Sequence, residues 1–139
     1  MIRGIYYYRF GCPYCWRFDK YVLEPLEAAN LVSVRRINAD LVRDSSALAI
    51  NRWVADRVTT TAGTDIVTPL LVVYHGGRIG KVVFSIYGDV LELESKTVRD
   101  EVAIMARSFV NYLCKRLKIP KSWLLSEFPL VRIAVTGTK

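Results

Sequence analysis

Cys12 and Cys15 stand two residues apart in the run Cys12-Pro13-Tyr14-Cys15. Thiols at that spacing can close a disulfide across one helical turn, or they can supply two ligands to a metal. The flanking residues favour the first use. Ile5-Tyr6-Tyr7-Tyr8 ahead of the pair is apolar, aromatic and β-prone. Trp16 to Asn30 behind it reads as a helix. Cys12 therefore falls at a strand-to-helix junction, where the first helical N–H groups have no partner. Those groups and the helix dipole favour thiolate over thiol. Pro13 takes the first helical position, where its missing N–H costs nothing. Cys15 follows one turn later, within reach of a mixed disulfide on Cys12. A zinc site would need two more ligands, and only Cys114 and His75 remain, far apart in sequence. The bland alternative is two buried thiols that only pack. The setting reads instead as a redox dithiol, with Cys12 the nucleophile and Cys15 the resolving thiol.

Other residues are weighed beside this pair. Arg9, three residues before Cys12, places positive charge that favours the thiolate. Tyr14 would line the entrance beside Cys12, or be a surface aromatic without a role. Cys114 reads as a small buried hydrophobe rather than a regulatory thiol. His75, before Gly76-Gly77, reads as a solvent-facing hairpin residue, and Trp53 and Trp123 as packing groups. Asp89 is open between binding a ligand amine and capping the next helix.

Cys12-Pro13-Tyr14-Cys15 resembles the glutaredoxin active site within the glutaredoxin/thioredoxin superfamily, and Arg9 stands where glutaredoxins carry a Lys or Arg. Thr68-Pro69, ahead of Leu70-Leu71-Val72-Val73-Tyr74, resembles the cis-proline that opens the third strand there. Gly88-Asp89 falls where glutaredoxins place a Gly-Gly and acidic pair for glutathione. The likeness covers about residues 3 to 115. It departs in two places. Thr68 stands where glutaredoxins have Val, which is more like the periplasmic disulfide isomerases, and the second glycine of the pair is absent. The resemblance implies a thioredoxin-like α/β fold, with a central four-stranded mixed sheet flanked by helices. It implies that the Pro69 bond is cis and that the Thr68 backbone faces substrate, so that a peptide or glutathione pairs with it as an added strand. The substrate-binding set it implies is Arg9, Tyr14, Thr68, Pro69, Gly88 and Asp89.

The chain has 139 residues, 52% of them hydrophobic, which suits one domain, residues 1–139, with a core of its own. No run approaches the roughly 20 apolar residues of a membrane span, and no secretory leader is visible. A cytoplasmic protein without a membrane partner is expected. The net charge of +7 is spread rather than clustered, which argues against nucleic acid and fits a basic protein with acidic or anionic partners.

These residues are positioned by a simple order of elements. Ile5 to Arg9 is the first strand. The helix after it carries Trp16, Tyr21, Val22, Leu26 and Ala29 toward one face, with a kink or break at Pro25. Leu31 to Asn38 is the second strand, with Val32, Val34 and Ile37 inward, parallel to the first through a right-handed crossover. Residues 39–65 form an insertion, with a helix from Asp44 or Ser45 to Arg57 and a loop over Thr59–Thr64. Leu70 to Tyr74 and Ile79 to Tyr87 form an antiparallel pair about Gly76-Gly77. Thr97 to Asp100 resembles a capping box for a helix reaching Leu117, with Val98, Val102, Met105, Phe109 and Leu113 on its inner face. Ile119 to Lys139 extends the chain, and its run Leu130 to Val135 is predicted to add an edge strand or to pair subunits.

The function these expectations support is a glutaredoxin-like thiol–disulfide oxidoreductase. It needs no metal or organic cofactor beyond an external thiol donor such as glutathione or a reductase. The other readings are a thioredoxin-fold binding or regulatory module, and a disulfide oxidase or isomerase.

Overall fold

A computed structural model of the chain describes residues 1–41, 68–75, 78–85 and 98–137. The insertion helix with Leu48, Trp53 and Val54, the Thr59–Thr64 loop, Gly76-Gly77, Gly88-Asp89 and the Thr97 cap lie outside the described residues.

Strand β1 (Ile2–Tyr8) runs parallel to β2 (Val32–Asn38) and antiparallel to β3 (Leu70–His75), and β3 runs antiparallel to β4 (Arg78–Ser85). The sheet order is β2-β1-β3-β4, so β1 and β3 are the inner strands. Their residues show it: Ile5, Tyr6, Tyr7, Leu70, Leu71, Val72 and Val73 are all buried, an unbroken apolar run on each strand as expected of strands covered on both faces. Gly4 is required where β1 and β3 close up. A Cβ there would lie 2.7 Å from the Val72 carbonyl oxygen.

Between β1 and β2 the chain is helical in three pieces: α1 (Pro13–Phe18), a π turn (Asp19–Leu23) and α2 (Glu24–Ala28). The break expected at Pro25 takes this form. Pro25 has no N–H for the ordinary i→i−4 bond, and the Glu24 N–H reaches back to the Asp19 carbonyl instead. The wider turn shifts the phase of the helix. Phe18, Val22, Leu23 and Leu26 point inward, while Trp16 and Ala29 face solvent, which corrects the inner face read from a regular 3.6 period. Asn30 (φ 60°) closes the run: its N–H bonds the Glu27 carbonyl and the Leu31 N–H bonds that of Leu26.

Helix α3 (Val98–Leu117) buries Val102, Met105, Ala106, Phe109, Val110 and Leu113 against the sheet and the first helical run. Phe109 is central. Its ring meets Phe18 at 6.1 Å and Phe84 at 5.3 Å, both edge to face.

The C-terminal run Leu130–Val135 is helical, not a strand. It belongs to α5 (Pro129–Thr136), which follows α4 (Lys121–Glu127). A short apolar run does not by itself tell strand from helix. Here Pro129 opens the helix, and Val131, Ala134 and Val135 repeat at helical spacing on the buried face. That face packs into the main core, and Arg107 of α3 donates its Nε–H to the Val135 carbonyl at 2.7 Å. Within that run Val131, Ala134 and Val135 are buried in the chain's own core, while Leu130 is exposed.

Candidate functional site

The end of β1 leads to the dithiol through a tight turn. The Cys12 N–H approaches the Arg9 carbonyl at 3.4 Å, and Gly11 takes φ +76°, a conformation that glycine adopts without strain. Cys12 then caps α1. Its backbone is extended (φ −86°, ψ 106°), its carbonyl accepts the Trp16 N–H at 3.2 Å, and its Sγ accepts the Cys15 N–H at 3.1 Å. Pro13 sits in the first turn, as the sequence suggests.

The two sulfurs are joined as a disulfide, with Cα atoms 5.2 Å apart. Their surroundings differ. Cys12 is partly exposed, whereas Cys15 is 3% exposed. An attacking group therefore reaches Cys12 first. The N–H that points at Cys12 Sγ would stabilise a thiolate there in the reduced form.

Cys15 is held from below. Its carbonyl accepts the Tyr6 hydroxyl at 2.7 Å and also the Asp19 N–H. Tyr6 is fully buried in β1, its ring 5.8 Å from that of Phe18. Burial and the nearby Asp19 carboxylate push its hydroxyl far above the ordinary tyrosine range, so it stays a neutral donor. Asp19 is fixed in turn by Arg36 on β2, which donates Nε–H to Oδ2 at 3.0 Å and Nη2–H to Oδ1 at 2.7 Å. The same Nη2 also bonds Glu27, whose other oxygen accepts the Val34 N–H on the edge strand. The hydrogen bonds Arg36 donates to Asp19, and next to Glu27, raise its pKa above the usual value.

Arg9 ties two segments together. Its Nε–H donates to Asp40 at 2.9 Å and its Nη1–H to Thr68 Oγ1 at 3.2 Å. Thr68 is buried, and the Thr68–Pro69 bond is cis, as expected of that bond. Arg9, Cys12, Tyr14, Cys15, Thr68 and Pro69 all lie among the described residues, and the Arg9 bond joins the segment before the cysteines to Thr68. Gly88 and Asp89 fall outside the described residues. Two aromatics flank the dithiol in the open: Phe10 is 78% exposed and Trp16 59%. Arg17 stacks on Tyr21, 4.1 Å above the ring.

Cys114 is buried, and desolvation raises its thiol pKa. Among the described residues no cluster of three or more His, Cys, Asp or Glu could hold a metal, and no helix is long and apolar enough to cross a membrane.

Tyr6, Asp19 and Arg36 do not stand out in the sequence as site residues. Tyr6 reads only as part of a β-prone run. A buried tyrosine needs a hydroxyl partner, but the partner here lies nine residues on and is set by the crossover. Compared with known proteins, the chain matches no family model, no curated protein and no solved structure.

Proposed function

We propose that the chain is a glutaredoxin-like thiol–disulfide oxidoreductase built on a thioredoxin-like fold. The observation that carries this reading is the asymmetry of the cysteine pair. Cys12 caps a helix, is partly exposed and has an N–H aimed at its sulfur, while Cys15 is buried one turn behind it. In the reduced form the Cys12 thiolate attacks a substrate disulfide. One substrate sulfur leaves as a thiol and the other stays on Cys12. Cys15 gives up its proton and attacks Cys12 Sγ, so the substrate departs fully reduced and the Cys12–Cys15 bond forms. An external thiol donor, such as glutathione or a reductase, returns the two electrons.

The sheet supports the thioredoxin-like assignment. A parallel pair joined by a helical crossover lies beside an antiparallel pair, with the cysteines at the first strand–helix junction. The tie from Arg9 to Thr68 supports a substrate edge at residue 68, where an extended peptide or glutathione adds as a strand. Gly88 and Asp89 would complete a glutathione site.

The test is reduction of insulin disulfides driven by dithiothreitol. Wild-type protein should accelerate it, and Cys12→Ser should remove the acceleration. Equal rates with and without the wild-type chain, across several disulfide substrates, would reject the assignment.

A further inference from the structure

We infer that the Tyr6 hydroxyl is a positioning group for the resolving thiol, a role that rests on the redox reading above. Cys15 is buried, and its backbone is pinned. Tyr6 Oη from β1 and the Asp19 N–H converge on its carbonyl, and the Arg36 fork on β2 fixes Asp19. The first turn of α1 is thereby fastened to both strands of the parallel pair at the residue that must strike Cys12 Sγ.

The Asp19 bond belongs to the helix and would form in any helix of this sequence. The Tyr6 bond is the long-range one: it comes from a different element, it is fully buried, and its donor cannot ionise in the working range. Without it, the Cys15 carbonyl keeps only its helical partner, and the turn is free to tilt away from the sheet. The approach of one sulfur to the other then depends on a less restricted helix end, which slows an intramolecular attack that relies on alignment. Cys12 lies before that turn and is held by its own turn to Arg9, so the tilt reaches its attack on an outside disulfide only through the Cys15 N–H at its sulfur, a smaller effect than on the alignment of Cys15.

Oxidation of the reduced protein by dithiobis-nitrobenzoate separates these two events. The Cys12 thiolate attacks the reagent, the aryl S–S bond breaks, and one thionitrobenzoate leaves as a mixed disulfide forms. Cys15 loses its proton to solvent and attacks Cys12 Sγ, which expels the second thionitrobenzoate and closes Cys12–Cys15. The dithiol loses two electrons and the reagent gains them. In Tyr6→Phe the first, reagent-dependent release should stay within about twofold of wild type. The second, concentration-independent release should slow roughly fivefold, the size expected for one neutral hydrogen bond. Unchanged second-phase kinetics would overturn the inference, as would equal slowing of both phases. Failure of Tyr6→Phe to fold would overturn it too, since the hydroxyl would then be a structural group. The assay needs no protein substrate. Intact two-phase release in a chain that turns over no disulfide would reject the proposed function and leave the positioning role to stand.

Discussion

Replacing Phe18 by Ala should remove the anchor that docks the dithiol-bearing helix. Phe18 is fully buried, and its ring meets Tyr6 at 5.8 Å and Phe109 at 6.1 Å. Truncating a fully buried Phe typically costs about 3–5 kcal/mol, the lost transfer energy plus the cavity left behind. Aromatic pairs are worth about 0.5–1.5 kcal/mol each beyond burial, so losing two of them places this site at the upper end. A domain of this size holds on the order of 7–20 kcal/mol in total, so the variant folds but melts roughly 15–17 °C lower. Phe18→Leu restores most of the volume without the ring contacts and should cost about 1–2 kcal/mol. Urea unfolding of the three proteins, each with the disulfide formed, reads the differences directly. If Phe18→Ala lies within about 1 kcal/mol of wild type, the helix is not held by this cluster and the packing argument fails. A Leu variant as unstable as the Ala variant would show that ring geometry, not burial, carries the contact.

The remaining outcomes follow from the same contacts. In the reduced protein, iodoacetamide should modify Cys12 at lower pH and faster than Cys15, followed by peptide mass spectrometry; Cys15 reacting first would reverse the assigned roles. Cys114→Ser should leave disulfide turnover nearly unchanged. Burial raises the Cys114 pKa, so the folded chain keeps that proton where the unfolded chain has lost it. Stability should therefore be intact below the ordinary thiol range and fall as pH rises past it, and Cys114→Ser should soften that alkaline fall in pH-dependent melting. Arg36→Met should cost about 1–2 kcal/mol after solvent screening, since it releases the fork to Asp19 and the bond to Glu27; a neutral result in urea unfolding would show that these partly exposed bonds add nothing.

Much of the site is local, and what is local was legible in the sequence. The strand–Cys–Pro–helix succession is a short-range matter: Gly11 permits the turn, Cys12 caps, and Pro13 suits the first helical position. The inner face of α3 was readable for the same reason, because Val102, Met105, Phe109 and Leu113 keep a regular helical spacing over about three turns of uninterrupted helix. The first helical run was harder. Pro25 announces a break but not its form, and the π turn it induces moves Leu23 inward and leaves Trp16 in solvent. The C-terminal run failed for another reason. Leu130 to Val135 is β-prone by composition, and Pro129 together with the surface offered by α3 and the π turn selects a helix that buries Val131, Ala134 and Val135. The long-range bonds were the least visible. Nothing in the order of residues says that Tyr6 reaches Cys15 or that Arg36 reaches Asp19, since both follow from the crossover that folds α1 back over the sheet.

As proposed, Cys12 and Cys15 are a working redox couple. The most direct measurement is equilibration of the protein in glutathione buffers of graded ratio, followed by acid quenching, alkylation and intact mass. The prediction is one reversible transition in which Cys12 and Cys15 together lose two hydrogens, Cys114 stays reduced, and the same curve is reached from either direction. A dithiol that never oxidises across the series would contradict the claim, as would a glutathione adduct on Cys12 that persists while Cys15 remains a free thiol.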